Sequence, residues 1–411
     1  MMSIPHAVSI PALHTKITAS QIYPVLTKPG HLDIGRLVKE GFLTASPRTH
    51  GGRHYVKGGD DITDFSTNVN PLGASGSVYQ AIRRNIGLIS HYPDPESRRF
   101  KKAVSDYLHL PDEEQAVVVG NGANELIHLF ADAFVGKGEK VVIPVPTFFE
   151  YEFACDKNSA SIAYAELDDH LRLNTESILA AMDKETKVVF ICNPNNPTGL
   201  LASRNDIEKI LDQAYNNGTL VLLDECFMEF VEEPERNSFV NAVKEYDNLV
   251  VLRTLTKAFG LAGLRAGYCI AGRKIARLMN KVKVPWSVNA LAEVAAVAAL
   301  QDVKHLRKTR ALVKREKPYL QREIAKQGFE VLNSDTNFFL VRLDKQQQGM
   351  DSVSLKSDLL KRKILIRDCS TFTGMGTDCV RISTQRRSEN KLLVDALKEE
   401  SGKKTKKKKE A

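Results

Sequence analysis

Short apolar runs alternate with stretches of helical apolar spacing through the middle of the chain, from about residue 106 onward. Each apolar run ends at a polar cluster or at a group of glycine and proline residues. This alternation predicts an α/β fold, with a mostly parallel sheet covered by helices on both faces. The runs that predict strands are 116–119, 140–143, 188–192, 220–223, 249–252 and 266–270.

The pattern changes near residue 285, where a helix-rich stretch over 289–327 begins. Short apolar runs follow it, and helical spacing resumes over 388–399. This order is typical of a smaller α+β domain. The runs that predict strands in this domain are 337–342, 364–367 and 379–382.

These patterns divide the chain into four predicted parts. The large domain covers 91–284, and the small domain combines 49–90 with 285–400. Residues 1–48 form an irregular N-terminal extension of unknown role, with a short helix near 33–41. Residues 401–411 are expected to be a disordered, lysine-rich tail.

The net charge of +8 comes mainly from that tail. Its six lysines and one glutamate supply +5, so the rest of the chain carries only +3. A basic surface for nucleic acid is therefore not expected in the folded part. Weak binding of anions or partner proteins by the tail remains the alternative to a simple solvated segment.

Composition favours an ordinary globular protein, since 43% of the residues are hydrophobic and 26% are charged. Prolines and histidines interrupt residues 1–20, so no secretory signal is expected, and the apolar stretch 291–300 is too short to span a membrane. Cytoplasm is the expected compartment. The six cysteines are scattered without a Cys-x-x-Cys pair, which predicts reduced thiols and no metal site.

The chemistry centres on Lys257, which lies between two apolar segments. A lysine held there loses hydration, which favours its neutral, nucleophilic amine, and such an amine can form a Schiff base with an aldehyde cofactor. Thr256 and Arg265 nearby supply a hydroxyl and a guanidinium suited to a phosphate. The alternative for a single lysine is an ordinary surface position.

Other polar groups follow the predicted strands, where open α/β sheets place their ligands. The glycine-rich turn at 120–125 opens a helix whose N–H groups could hold a phosphate. The turn at 193–199 contains two Asn-Pro steps and can aim a side-chain amide. Asp224 ends an apolar strand and needs a cation such as a pyridinium, or serves as a helix cap or in a structural salt bridge. Phe148 could stack on a planar cofactor or belong to the core.

The order of three motifs resembles the fold-type I enzymes of the aspartate aminotransferase superfamily, which use pyridoxal 5'-phosphate (PLP). The motifs are Asn-Pro-Asn-Asn-Pro-Thr-Gly at 193–199, Asp-Glu at 224–225, and Thr-Lys followed by Gly-Leu-Arg over 256–265. The likeness covers about residues 49–400. It implies a large PLP-binding domain with a mostly parallel sheet, beside a smaller α+β domain.

The resemblance also implies roles for individual residues. Lys257 would carry the cofactor covalently, and Asp224 would keep its pyridine nitrogen protonated. Asn196 would contact the ring oxygen and Phe148 would stack on the ring. Arg381 would bind the substrate carboxylate. The phosphate of PLP would be held by Ala123, Asn124, Thr256 and Arg265, with Tyr92 reaching in from the second subunit of a homodimer.

Four segments further resemble the cobalamin-pathway decarboxylases that act on L-threonine O-3-phosphate: 50–52, 64–73, 285–292 and 364–370. Phe227 also stands where aminotransferases usually have tyrosine. This likeness implies decarboxylation of a phosphorylated amino acid to 1-amino-2-propanol O-phosphate. Arg367, His50 and Asn68 are the candidates for binding the substrate phosphate. His50 and Asn68 could instead be residues that order their local turns.

Two other functions stay open. Histidinol-phosphate aminotransferases belong to the same branch of the superfamily. A PLP-binding regulator without catalysis is a more distant alternative, because 1–48 is too short and too rich in proline for the DNA-binding domain of such proteins. Serine phosphate and threonine phosphate cannot be separated on this basis, since one methyl group discriminates by only about 1–3 kcal/mol.

Overall fold

The computed structural model describes residues 34–38, 42–43, 50–56, 61–110, 114–343 and 350–410. The strands are β1 Thr63–Asp64, β2 Val117–Gly120, β3 Lys140–Val145, β4 Ser161–Glu166, β5 Thr186–Cys192, β6 Leu220–Asp224, β7 Leu249–Thr254, β8 Gly267–Ala271, β9 Glu330–Val331, β10 Phe338–Arg342, β11 Ile364–Leu365, β12 Arg367–Asp368 and β13 Cys379–Ser383.

The α-helices are α1 Gly76–Arg84, α2 Arg98–Tyr107, α3 Ala123–Phe134, α4 Glu150–Lys157, α5 Thr175–Ala181, α6 Arg204–Asn217, α7 Pro234–Asn237, α8 Arg273–Val282, α9 Ala290–Gln301, α10 Val303–Ala325, α11 Ser352–Leu360 and α12 Arg387–Glu410. Short 3-10 turns occur at Ile34–Leu37, Arg53–Tyr55, Ile86–Ser90, Glu114–Ala116, Met228–Phe230 and Val240–Lys244. The first of these lies within the helix predicted at 33–41, whose remaining residues are mostly outside the described part of the chain.

The large domain is built on a seven-stranded sheet in the order β2-β8-β7-β6-β5-β3-β4. Neighbouring strands from β7 to β4 are parallel, and β8 is antiparallel to both β7 and β2. The prediction of a mostly parallel α/β sheet is therefore confirmed. The edge strand β4 was not predicted: its apolar run at 162–165 is short and contains two alanines, and its residues are largely half-buried or exposed.

Both faces of this sheet are covered, which explains the apolar runs of the central strands. Successive residues of β6 belong to different cores: Val221 and Leu223 pack in one cluster and Leu222 in the other. The carboxyl ends of the strands therefore provide the open edge on which polar residues can gather.

The small domain contains a four-stranded sheet in the order β12-β13-β10-β9 and the short parallel pair β1-β11. The hydrophobic core of the small domain includes Phe65, Phe339 and Ile382. The domain boundary differs from the prediction, because Val78 of α1 and Ala292 of α9 pack in the core of the large domain. Helix α9 packs against both α1 and α2, and α2 in turn packs against β2 of the large sheet.

The boundary instead falls along α10. Leu306 packs in the large-domain core, whereas Leu320 and Ile324 pack in the small-domain core. The single helix-rich stretch predicted over 289–327 is divided at Asp302, whose side chain accepts a hydrogen bond from His305 N and so begins α10.

The disorder expected for 401–411 stays a prediction; the structure continues α12 to Glu410. Lysine and glutamate favour helix, and no proline interrupts the segment after the packed turns of α12. None of the described helices is long and apolar enough to cross a membrane. Within the same residues, no group of three or more His, Cys, Asp and Glu side chains could hold a metal ion.

Candidate functional site

A cavity of about 270 Å³ lies where the carboxyl ends of the large sheet meet the small domain. It gathers side chains that are far apart in sequence and that come from both domains. The predicted site residues that line it are His50, Asn68, Ala123, Asn124, Phe148, Asn196, Asp224, Thr256, Lys257, Arg265, Arg367 and Arg381.

Tyr92 is the predicted site residue that does not line this cavity. Its side chain is 82% exposed, and its ring centroid lies 4.8 Å from that of Trp286. A contribution from a second subunit, which is the role implied for Tyr92, stays a prediction.

Lys257 follows β7 at the cavity wall. Burial lowers the pKa of its amine to about 8, and the positive charges of Arg381 and Arg265 act in the same direction. The amine lies 5.5 Å from the ring centroid of Phe227. The main chain is fixed as well, because Asn70 N donates to the Lys257 carbonyl (3.0 Å). Lys257 is thus a nucleophilic amine on an anchored backbone.

Asp224 ends β6 and is buried. Burial raises the pKa of its carboxyl, while hydrogen bonds oppose that shift. The Tyr151 hydroxyl donates to Oδ2 (2.6 Å), and Cys226 N donates to Oδ1 (2.8 Å). The carboxylate is therefore fixed in position on the cavity wall, where a cationic ring nitrogen would compensate for its burial.

An anion cradle lies at the start of α3. Gly122 precedes the helix with φ of 85°, and a Cβ at this position would collide with the Arg265 guanidinium. Arg265 itself has φ of 61°, and its Nη1 donates to the Ala262 carbonyl (3.1 Å). The helix N-terminus, the guanidinium and the Thr256 hydroxyl together form a site suited to a phosphate.

Arg381 and Arg367 are opposite residues in the antiparallel pair β12-β13, so their side chains share one face of the small-domain sheet. Arg381 donates to the Asn196 carbonyl oxygen Oδ1 and to the Ser66 carbonyl (2.7 Å). Burial and the charge of Arg367 lower its pKa to about 9. Its Nε is buried without a hydrogen-bond partner within the described part of the chain.

Arg367 is buried beside Phe372, with 5.2 Å between the guanidinium carbon and the ring centroid. Its Nη2 donates to Thr371 Oγ1 (2.8 Å). Burial lowers the pKa of this arginine too. Asn68 lines the same cavity, and its Oδ1 is buried with no partner among the described residues. Among those residues neither arginine forms a salt bridge, so both guanidinium charges are open to an anionic ligand.

His50 borders the cavity and contacts Glu150 and Phe149. Its Nε2 lies 2.9 Å from Glu150 Oε1, and its ring centroid is 4.8 Å from that of Phe149. The other carboxylate oxygen of Glu150, Oε2, lies 3.1 Å from Nε2 of His128. The ring of His50 is therefore oriented by contacts to α4.

Several contributors were not anticipated, namely Tyr151, Glu150, His128, Ser66 and Phe372. Their contacts join segments remote in sequence; Tyr151 and Asp224, for example, are 73 positions apart. Ser66 lies within the segment 64–73 singled out above, but no local motif marks the other four. The only available signal was the position of Glu150 and Tyr151 immediately after the Phe148 segment.

The lining fits PLP on structural grounds. One cavity contains the three polar features that PLP needs. They are the Lys257 amine with its lowered pKa, the fixed carboxylate of Asp224, and the phosphate cradle at Gly122, where a Cβ would not fit. Phe148 supplies an aromatic wall, and its ring is T-shaped to Tyr151 at 5.8 Å. These are the kinds of side chain that hold this cofactor.

Comparison with known proteins agrees with this geometry. Residues 60–397 match the family described as aminotransferase class I and II. A protein of Caldanaerobacter subterraneus subsp. tengcongensis named "Putative threonine-phosphate decarboxylase" is 36% identical over 364 residues, which cover 88% of this chain and 96% of that protein. The histidinol-phosphate aminotransferase of Methanocaldococcus jannaschii is 34% identical over 343 residues, covering 83% and 89%.

A solved structure extends the comparison to the cofactor. It is the histidinol-phosphate aminotransferase of Sinorhizobium meliloti in complex with pyridoxal 5'-phosphate. The TM-score is 0.74 at 25% identity, and the match covers 82% of this chain and 90% of that one.

Proposed function

This chain belongs to the aminotransferase class I and II family of PLP-dependent, fold-type I proteins, and from that premise we propose that it decarboxylates L-threonine O-3-phosphate. The products would be CO2 and (R)-1-amino-2-propanol O-2-phosphate, a linker in cobalamin synthesis. One observation carries the proposal. Arg367 and Arg381 stand side by side in the cavity without a salt bridge among the described residues, as a substrate with two anionic groups requires.

The large domain would hold the cofactor. Lys257 provides the amine for covalent attachment, Asp224 the charge for the pyridine nitrogen, and Asn196 a contact to the ring oxygen. Phe148 covers the ring. The phosphate of PLP would be bound by Ala123, Asn124, Thr256 and Arg265, together with Tyr92 of a second subunit. When bound, PLP supplies an electron-accepting ring conjugated to the substrate nitrogen.

The small domain would bind the substrate anions. Arg381 is assigned the carboxylate and Arg367 the phosphate, with Asn68 and His50 as additional contacts. The planar forks of buried arginines suit both groups, and charge-assisted hydrogen bonds are strong in such surroundings. Binding a phosphate dianion beside Arg367 would also compensate for the burial of that guanidinium.

Two anchors would fix the orientation of the substrate as well as its affinity. PLP, when bound, would accept electrons from one bond to the substrate Cα, so the residues that orient the substrate would decide which bond breaks. Holding the phosphate and carboxylate at two arginines limits rotation about the N–Cα bond, and remote binding energy thereby selects the bond that breaks. Phe227, near the Lys257 amine, supplies no phenol for the ring oxygen.

The second candidate is a histidinol-phosphate aminotransferase, which the likeness to the Methanocaldococcus jannaschii protein favours. Histidinol phosphate carries an amine and a phosphate but no carboxylate. It would therefore use Arg367 and leave Arg381 to an amino-acid co-substrate.

A cytoplasmic homodimer completes the proposal. Exposed apolar side chains lie along 86–92 and 282–286: Ile89 is 69% exposed, Val284 is 68% exposed and Trp286 is 49% exposed. Tyr92 belongs to the same surface through its contact with Trp286. Apolar exposure of this extent favours contact with another subunit.

Product analysis tests the proposed reaction. The purified protein is incubated with PLP and L-threonine O-3-phosphate, and CO2 and the amine product are quantified. We expect equal amounts of both and no accumulation of pyridoxamine phosphate. Release of a keto acid together with pyridoxamine phosphate would show an aminotransferase instead, and histidinol phosphate would then be the substrate to try.

A further inference from the structure

Glu150 is buried between two histidines that come from different segments. His50 Nε2 approaches one carboxylate oxygen at 2.9 Å, and His128 Nε2 approaches the other at 3.1 Å. Although burial alone would raise it, the hydrogen bonds from His128 and His50 lower the pKa of Glu150 to about 2. Glu150 is therefore ionised and has both oxygens occupied.

The two histidines are not equivalent. His128 Nδ1 is buried and has no hydrogen-bond partner among the described residues. Nε2 is therefore the nitrogen of His128 that we assign as the donor to Glu150. His50 differs because it lines the cavity, where its ring can meet a ligand.

We infer that Glu150 is a positioning residue that orients His50 for the substrate phosphate, and that His128 holds Glu150 in place. This inference rests on the proposed use of His50 in phosphate binding. Glu150 accepts a hydrogen bond from Nε2–H of His50, and this contact fixes the orientation of the ring at the cavity wall. His128 occupies the remaining carboxylate oxygen, which keeps the carboxylate directed at His50.

The test uses O-phosphoethanolamine, which has an amine and a phosphate but no carboxylate to lose. Its Kd for the holoenzyme is measured by calorimetry beside that of ethanolamine. Glu150→Gln should weaken O-phosphoethanolamine by about 10- to 100-fold, the range for a lost charge-assisted hydrogen bond, and leave ethanolamine unchanged. Because the probe cannot be decarboxylated, this result does not depend on which reaction the enzyme performs.

A pair of variants at His128 separates positioning from bulk. His128→Gln keeps an N–H within reach of Glu150 and should retain most of the affinity for O-phosphoethanolamine, whereas His128→Phe should lose it. The pair also carries the test if Glu150→Gln does not fold. Glu316→Gln is the matched control, since Glu316 is buried between Arg315 and Arg387 and does not line the cavity.

Equal losses for O-phosphoethanolamine and ethanolamine would overturn the inference and show a general disturbance of the site. Unchanged affinity for O-phosphoethanolamine in both Glu150→Gln and His128→Phe would overturn it too. Failure of the proposed decarboxylation appears separately, as absence of CO2 from the unmodified enzyme with L-threonine O-3-phosphate.

Discussion

Lys257 shows how the site modifies one functional group. Its amine lies at the cavity wall near two arginines, and both desolvation and the arginine charges disfavour the ammonium form. Its pKa of about 8, compared with the usual 10.5, leaves a substantial neutral fraction near neutral pH. The same cations that suit anionic ligands therefore also activate the amine.

This arrangement predicts the pH dependence of cofactor uptake. Below pH 8 Lys257 is mainly charged and above it mainly neutral, so the rate at which PLP attaches to the apoprotein should rise with a midpoint of about 8. Stopped-flow absorbance of the attached cofactor gives this rate. Arg381→Ala removes a neighbouring charge and should move the midpoint upward. A midpoint near 10.5 in the unmodified protein would refute the activated lysine.

The sequence predicts those site residues that follow strands or lie within motifs, because strand ends in a parallel sheet converge on one edge. Lys257, Asp224 and Asn196 are of this kind. Tyr151 and the pair Glu150 and His128 could not be predicted, because their roles depend on how α4 packs against other segments. The roles assigned to Lys257, Asp224 and Asn196 are predictions.

Among the elements, the pair β12-β13 would matter most for substrate choice in the proposed function. Both Arg367 and Arg381 were identifiable in the sequence. That they face each other across two strands depends on the strand register, which the sequences of two short strands do not determine. A shift by one residue would turn one guanidinium to the other face of the sheet. The central strands were easier to predict, since burial on both faces leaves a continuous apolar run.

Helix α12 provides a prediction about the tail. Among the residues of α12 whose side chains the structure describes, Leu393, Ala396 and Leu397 are buried in the small-domain core. Deleting 402–411 should therefore leave Tm and kcat/KM unchanged and reduce only the helical circular dichroism signal. Thermal unfolding and steady-state kinetics check this. A fall in either quantity would assign the tail a role in the fold or the site.

At the scale of the whole molecule, assembly is predicted from the surface around Tyr92 and Trp286. Sedimentation equilibrium should show a homodimer. Tyr92→Ala should weaken PLP binding while retaining the dimer, because its hydroxyl would complete the phosphate site of the neighbour. The exposed Tyr215, on another part of the surface, supplies Tyr215→Ala as a control. A fully active monomer would contradict the assembly.

The two domains would divide the work, the large domain holding PLP and the small domain the substrate anions. Arg367→Ala should then reduce kcat/KM for L-threonine O-3-phosphate by the loss of a buried charge partner, about 2–5 kcal/mol. Residual activity on unphosphorylated L-threonine should change far less. Arg381→Ala should impair both substrates, since both carry the carboxylate.

The most direct measurement is this comparison of kcat/KM for the two substrates in Arg367→Ala and Arg381→Ala. Arg204→Ala is the control, because Arg204 also lies over an aromatic ring, 4.5 Å from the centroid of Phe239, but does not line the cavity. A selective loss on the phosphorylated substrate in Arg367→Ala is the predicted result. Equal losses on both substrates would show that Arg367 does not bind the substrate phosphate and would contradict the account.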